Sequence, residues 1–232
     1  MRGTSKPIGI ADLGLMPYRQ AWDAQERAHE NVVQGGEETI LIVEHPSVVT
    51  LGRRDESIKN LMTPPPELAR LGVELVHSDR GGDITYHGPG QIVAYPIIRL
   101  ADHGFSVSGY VHRLEAIVIA ALAELGIEGF TDPQAVGVWV WDGDDLAKIC
   151  AIGVRIRRGV SLHGLALNVT TDLSGFSHIV PCGLSDRGVT SIGKILGRNA
   201  PSLDVVKKIL VSHLLEGFLP ASPPGRENAP VQ

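Results

Sequence analysis

Val136 to Trp141 reads as an alternating run, Gly143-Asp144-Asp145 turns, and Leu146 to Arg157 alternates again. Two runs of period two around a turn cluster describe a β-hairpin, and the run from Ser161 to Val169 adds another strand. Strands therefore dominate the middle of the chain, and whatever helices exist must be arranged around them.

Tyr18, Ala21, Trp22, Ala28, Val32 and Val33 follow a helical stripe that Gly35-Gly36 can stop, so a first helix is expected over 18–33. Thr39 to Val43 and Val48 to Leu51 read as two short buried strands flanking a tight turn at His45-Pro46. Pro64-Pro65-Pro66, within 62–67, can continue neither a helix nor a sheet ladder and reads as a surface connection. Val73 to Val76 reads as a strand. A glycine-rich segment, Arg80 to Gly90, feeds the apolar strand Gln91 to Ile98. Leu114, Ile117, Val118, Ala121, Leu122 and Leu125 sit at helical spacing within 110–125, and Gly126 is placed to end that helix. The stretch 170–190 is irregular. Leu203 to Phe218 carries a last amphipathic stripe that Ser202 can cap. Helices interspersed among strands without strict alternation predict an α+β fold with a mixed sheet rather than a doubly wound one.

The 232 residues, 43% of them hydrophobic, can bury one sizeable core, so a single domain over 1–220 is expected, with 221–232, rich in proline and small polar residues, as a disordered tail. Lys plus Arg is 21 and Asp plus Glu is 26, a formal charge of −5 with no long block of one sign, which argues against nucleic acid or a membrane surface as a partner. The N-terminus lacks the apolar core of a signal peptide and no run of about 18 apolar residues occurs, so a soluble, cytoplasmic protein is expected. Two cysteines, Cys150 and Cys182, are too few for a disulfide scaffold and read as reduced thiols.

Arg80 to Gly90 packs four glycines and a proline among Arg80, Asp83, Thr85, Tyr86 and His87. Glycines let a backbone approach a ligand, and loops on strand ends commonly carry binding groups; the bland alternative is a tight turn with a polar surface. Lys148 is a lone ammonium among Leu146, Ala147, Ile149, Cys150, Ala151, Ile152 and Gly153. Buried without a partner it would cost several kcal/mol, and as a strand-edge residue it would snorkel to solvent. Alternation puts Lys148, Cys150, Ile152 and Val154 on one face and Ile149, Ala151, Gly153 and Arg155 on the other. Cys182, between Pro181 and Gly183, lies in a segment without periodicity that can present sulfur to a cleft, whereas Cys150 reads as packed and inert. Neither an HExxH or clustered Cys/His set nor a GxxxxGK[ST] loop occurs, so no zinc, nucleotide or other cofactor is expected.

RGGDITYHGPGQ, KICAIGVRIRRG, HGLALNV and PCG, in this order, resemble the octanoyltransferase family, also called lipoate-protein ligase B, and the similarity runs from about Asp12 to Phe218. The resemblance implies the catalytic fold of biotin and lipoate protein ligases, and transfer of octanoyl from acyl carrier protein to a lysine of lipoyl domains. Such acceptors are the lipoyl domains of 2-oxoacid dehydrogenase complexes and the glycine cleavage H protein, and the transfer is the first step of endogenous protein lipoylation. It further implies that Cys182 carries the acyl thioester and that Lys148 activates it. The acyl-substrate contacts are implied at Arg80, Gly81, Gly82, Asp83, Ile84, Thr85, Tyr86 and His87, at Ala151, Ile152 and Gly153, and at Gly164, Leu165 and Ala166.

A free thiol of pKa about 8.5 is only a few per cent thiolate at neutral pH, so a nearby ammonium is the expected activator, and thioester-to-amide transfer needs no ATP. Two alternatives stay open. An ATP-dependent lipoate or biotin ligase would form an adenylate and would not require Cys182. A non-catalytic acyl-carrier binding protein would use the glycine loop to hold the chain.

Overall fold

A computed structural model describes residues 7–54, 56–180 and 187–219. The chain begins with strand β1 (Gly9–Leu15), helix α1 (Tyr18–Val33), and strands β2 (Thr39–Glu44) and β3 (Val48–Leu51). Helix α2 (Pro65–Arg70) and strands β4 (Glu74–His77), β5 (Thr85–His87) and β6 (Gln91–Ile97) follow. Helix α3 (Val107–Glu124) precedes strands β7 (Phe130–Asp132), β8 (Ala135–Asp142), β9 (Asp145–Arg157) and β10 (Val160–Asn168). The described chain closes with β11 (Gly188–Val189), α4 (Ile192–Leu196) and α5 (Leu203–Gly217).

The expected hairpin is β8–β9, and it sits in a mixed sheet of order β1-β2-β6-β10-β9-β8-β7, in which β1 runs parallel to β2 and β11 parallel to β9. A smaller sheet, β4-β3-β5, stands apart. On β2 and β6, Ile40, Ile42, Ile92 and Ala94 face one core, and Leu41, Val43, Val93 and Tyr95 face another. Both faces are covered, which is why these strands read as unbroken apolar runs. Tyr110, Leu114, Ile117, Val118, Ala121 and Leu122 of α3 and Val206, Leu210 and Leu214 of α5 close the first face; Ala21 and Val32 of α1 close part of the second. Each of the buried valine, leucine and isoleucine side chains contributes roughly 1.5–3 kcal/mol. Ser202 caps α5 by accepting from the Val205 N–H at 3.4 Å, as its position predicts.

Three expectations change. The strands at 39–43 and 48–51 exist but belong to different sheets, so His45-Pro46 passes the chain from one sheet to the other. The proline run does not stay a loop: Pro65 opens α2, with prolines in the first helical positions where the missing N–H would be unpaired anyway. Strict alternation along β9 fails because the register against β8 shifts between Val138↔Cys150 and Trp139↔Lys148, leaving Ile149 as an extra residue. Ile149 and Cys150 consequently both enter the core, whereas Lys148 lines a cavity on the other side. The expected tail, 221–232, lies outside the described residues.

Candidate active site

A cavity of about 830 Å³ opens between the main sheet and β5. It is lined by Arg80, Gly81, Gly82, Asp83, Ile84, Thr85 and His87, by Lys148, by Ala151, Ile152 and Gly153, and by Gly164, Leu165 and Ala166. Three segments distant in sequence thus meet. The floor follows from register: Ala151 pairs with Ala166 and Ala166 with Val93, and two residues along β9 Gly153 pairs with Gly164, so small residues meet in adjacent same-face rows of the sheet. The Gly81 N–H donates to the Val154 carbonyl at 3.0 Å, and a Cβ on Gly153 would stand 2.8 Å from the Gly81 oxygen. The glycine segment can lie on β9 only because both residues lack a side chain.

Not every residue of the segment faces the cavity. Tyr86 points away: its ring packs edge-on against Phe176 at 5.3 Å, and its hydroxyl shares a 3.0 Å hydrogen bond with Ser47. Tyr86 is not among the residues that line the cavity and supports its wall through Phe176. Arg80 lines the cavity but gives donors to its own frame, from Nε and Nη2 to Thr50 Oγ1 (3.1 and 3.0 Å) and from Nη2 to the Thr50 carbonyl (2.7 Å). Asp83 accepts from Asn60 Nδ2 (2.8 Å) and from the Ile84 N–H (2.7 Å).

Lys148 is 6% exposed, so it does not snorkel to solvent. Its Nζ donates to the Val136 carbonyl at 3.0 Å and lies 4.7 Å from the centre of the Trp139 ring, whose electron-rich face attracts a cation. Arg187 lies over the same ring at 5.2 Å, pairs with Asp132 and donates to Gln134 Oε1 at 2.9 Å. Trp139, Arg187 and Asp132 are residues that sequence reasoning missed. The alternation of β8 signals a buried tryptophan, but nothing in it says that the ring meets a lysine across a bulge.

Behind the cavity, hydrogen bonds fix one imidazole. The Thr190 carbonyl can only accept, so Asn168 must turn Nδ2 to it (3.0 Å) and offer Oδ1 to Gln91 Nε2 (2.8 Å). Gln91 then offers Oε1 to His87 Nδ1 (2.7 Å), which must carry the hydrogen. Burial holds His87 well below the ordinary histidine range, with the neighbouring His45 adding to the effect. At working pH His87 is neutral, with Nδ1 protonated and Nε2 bearing a lone pair.

Cys182 lies in 181–186, outside the described residues. The chain on either side of that stretch is described. Before it, the Val180 N–H donates to the Asn60 carbonyl at 2.8 Å, and Leu61 bridges Ile179. After it, β11 pairs Gly188 with Ala147 and Val189 with Lys148. Cys150 is fully buried, and desolvation pushes its thiol up to about 12, which disfavours the thiolate that a nucleophile needs. Among the described residues no cluster of metal-ligating side chains occurs, and no helix is long and apolar enough to cross a membrane.

Residues 17–215 match the lipoyl protein ligase A/B catalytic domain family. The chain belongs to that family. Within it, a protein named octanoyltransferase from Chloroflexus aggregans is 47% identical, over 89% of this chain and 93% of its own length. An octanoyltransferase from Mycobacterium avium is 44% identical, over 99% of this chain and 95% of its own. The fold extends to more distant structures: lipoate-protein ligase A bound with ATP superposes with a TM-score of 0.75 at 17% identity, covering 92% of this chain and 86% of that one. Biotin protein ligase from Aquifex aeolicus in complex with biotin and ATP gives 0.55 at 15% identity, over 90% and 70%. The α+β architecture with a mixed sheet flanked by helices is thus that of lipoate and biotin protein ligases.

Proposed function

We propose that this protein is an octanoyl-[acyl-carrier-protein]:protein N-octanoyltransferase that works through a thioester on Cys182 without ATP. The observation that carries the reading is the buried Lys148 ammonium at a cavity large enough for an acyl chain, with its own strand paired to the segment that follows 181–186. High identity over nearly the full length to proteins named octanoyltransferase supports the acyl group. The donor is octanoyl-acyl carrier protein, and the acceptors are lysines of lipoyl domains of 2-oxoacid dehydrogenase complexes and of the glycine cleavage H protein.

In the first half, the Cys182 thiolate attacks the carrier thioester. The C–S bond to the carrier breaks, the leaving sulfur takes a proton from Lys148, and an octanoyl-enzyme remains. Lys148, now neutral, takes a proton from the incoming lysine ammonium, which becomes a nucleophilic amine. In the second half the amine attacks, the C–S bond to Cys182 breaks, and the amide leaves. One proton reaches water per turnover, and a thioester is exchanged for a more stable amide, so no nucleotide is needed.

Incubation with octanoyl-acyl carrier protein and no ATP should add one octanoyl mass to the intact protein, mapping to Cys182. Subsequent addition of a lipoyl domain should discharge it. An absolute ATP requirement with release of pyrophosphate would instead establish the ligase alternative, and absence of both adduct and transfer would leave an acyl-carrier binding protein.

A further inference from the structure

Cavity residues differ in what they offer a substrate. Lys148 in its ammonium form and Arg80 carry only donors. The carboxylates are engaged: Glu115 accepts from the Gly137 N–H (3.1 Å) and sits 3.0 Å from His112 Nδ1, and Asp83 accepts from Asn60 and Ile84. His87 is 5% exposed, its Nε2 has no hydrogen-bond partner among the described residues, and that atom is not sealed from the cavity that His87 lines. A buried ring whose one acceptor opens on a cavity takes its donor from water or, once the cavity is filled, from the occupant.

The same chain of hydrogen bonds ties His87 to the candidate lysine. The Lys148 carbonyl accepts from the Thr190 N–H (3.0 Å), the Thr190 carbonyl from Asn168, Asn168 from Gln91, and Gln91 from His87. The His87 ring and the Lys148 main chain are therefore held in one frame, with Lys148 Nζ fixed separately on the Val136 carbonyl; His87 Nε2 is an acceptor and Lys148 Nζ a donor. An octanoyl chain has no donor to give His87. The acceptor lysine does.

We propose that His87 Nε2 accepts a hydrogen bond from the attacking nitrogen of the acceptor lysine and so aims its lone pair at the acyl carbon. The inference rests on the thioester reading above. Proton counting leaves room for it. Lys148 has a single lone pair, which is spent on the first proton of the incoming ammonium, so at the moment of attack it is again only a donor. The amine still carries two N–H bonds. One is held by His87 while the C–N bond forms and the C–S electron pair returns to Cys182; the proton lost from nitrogen goes to the departing sulfur and leaves a thiol. His87 takes no proton, in keeping with its neutral state.

The test separates the half-reactions. Octanoyl-enzyme is formed from octanoyl-acyl carrier protein in a single turnover and followed by intact mass, then chased with a lipoyl domain. For His87→Phe, which keeps a ring against Tyr18 and His45 but has no acceptor, discharge to lysine should slow about tenfold or more beyond any slowing of octanoyl-enzyme formation. His87→Gln, which restores an acceptor oxygen, should recover part of the discharge rate. Gln91→Leu leaves the imidazole but frees its tautomer, and should slow discharge without slowing loading; it also serves if His87→Phe melts early. Loss of loading alone would assign His87 to the carrier's arm and overturn the proposal, as would equal loss in both halves. Octanoyl-enzyme missing in the parent would remove the thioester reading itself, and this role with it.

Discussion

The main-chain carbonyl of Lys148 accepts a hydrogen bond from the Thr190 N–H at 3.0 Å. The residue that holds the candidate ammonium and the strand that follows the Cys182 segment are therefore parts of one backbone ladder, continued by Val189 opposite Lys148. Displacement of Lys148 has to disturb that strand as well, and rotation of its side chain is limited by Val136 and Trp139.

Gly137 tests this arrangement from outside the site. Its φ of +126° lies where side chains are strained, and a Cβ there would stand 2.6 Å from the Cys150 carbonyl and 3.4 Å from Lys148 Cδ and Cε. Gly137→Ala should cost about 1–3 kcal/mol of stability and reduce transfer at least tenfold by pushing Lys148 off the Val136 carbonyl. Urea unfolding and a steady-state transfer assay check both. Parent-like transfer in a folded variant would mean that the placement of Lys148 is not critical.

The two thiols should separate cleanly. Cys150 is fully buried with its pKa pushed up to about 12, so Ellman's reagent should titrate one thiol in the native protein and two in denaturant. Cys150→Ala should retain most transfer at a stability loss of roughly 1–2 kcal/mol, because it removes only core packing. Cys182→Ala should abolish transfer. Inactivity of a folded Cys150→Ala with activity in Cys182→Ala would reverse the assignment.

Stability should fall in acid for a stated reason. His45 donates from Nδ1 to the Met16 carbonyl (2.8 Å) and accepts at Nε2 from the Tyr95 hydroxyl (2.8 Å), and desolvation lowers its pKa to about 4. The unfolded chain takes up this proton first, so stability is lost as pH falls from about 6.5 towards the folded value, by about 1.4 kcal/mol per pH unit and roughly 3 kcal/mol in all. Burial of His87 acts with the same sign. His103 works oppositely: its hydrogen bond to Glu38 raises its pKa, so its contribution is present below about 6.5 and fades as pH rises through the raised value. Urea unfolding at several pH values should give a shallower acid slope in His45→Gln and a shallower alkaline decline in His103→Gln. An unchanged acid slope in His45→Gln would remove the desolvation argument for that residue.

Where the sequence was legible, one local rule sufficed. The stripes of α1, α3 and α5 announce themselves because their burial follows one helical period, and β8, β9 and β10 because apolar runs are punctuated by turn residues at Gly143-Asp144 and Arg158-Gly159. What stayed hidden depends on register between distant segments. β1 is an edge strand whose alternate residues reach solvent, and its pairing to β2 is set thirty residues away. The bulge at Ile149 flips the relation between Lys148 and Cys150, and no residue type near it marks the extra position. Most of the glycine segment lines the cavity as composition suggests, yet Tyr86 is buried in the core of the smaller sheet, against Phe176 and Ser47. His87 is visible in the sequence as a loop histidine; its tautomer is set by Gln91, Asn168 and Thr190, which no local pattern connects.

Lys148 carries the decisive electrostatic prediction. An ammonium about 4 Å from a thiolate is worth up to roughly 4 kcal/mol at an effective dielectric of 20, enough to turn a thiol that is a few per cent ionised at neutral pH into one that is mostly ionised. Lys148→Ala should therefore leave the fold largely intact, cut transfer at least tenfold, and move the midpoint of iodoacetamide labelling at Cys182 upwards towards that of a free thiol. The loss of acceptor deprotonation should add to the fall in rate. Lys148→Arg keeps a positive charge within reach of the Trp139 face but cannot return a proton, because a guanidinium stays charged. It should recover labelling of Cys182 better than it recovers transfer. The pH dependence of labelling, run on the parent and both variants beside the transfer assay, separates charge from proton shuttling. A labelling midpoint unmoved in Lys148→Ala would sink the ion-pair argument, whatever became of the rate.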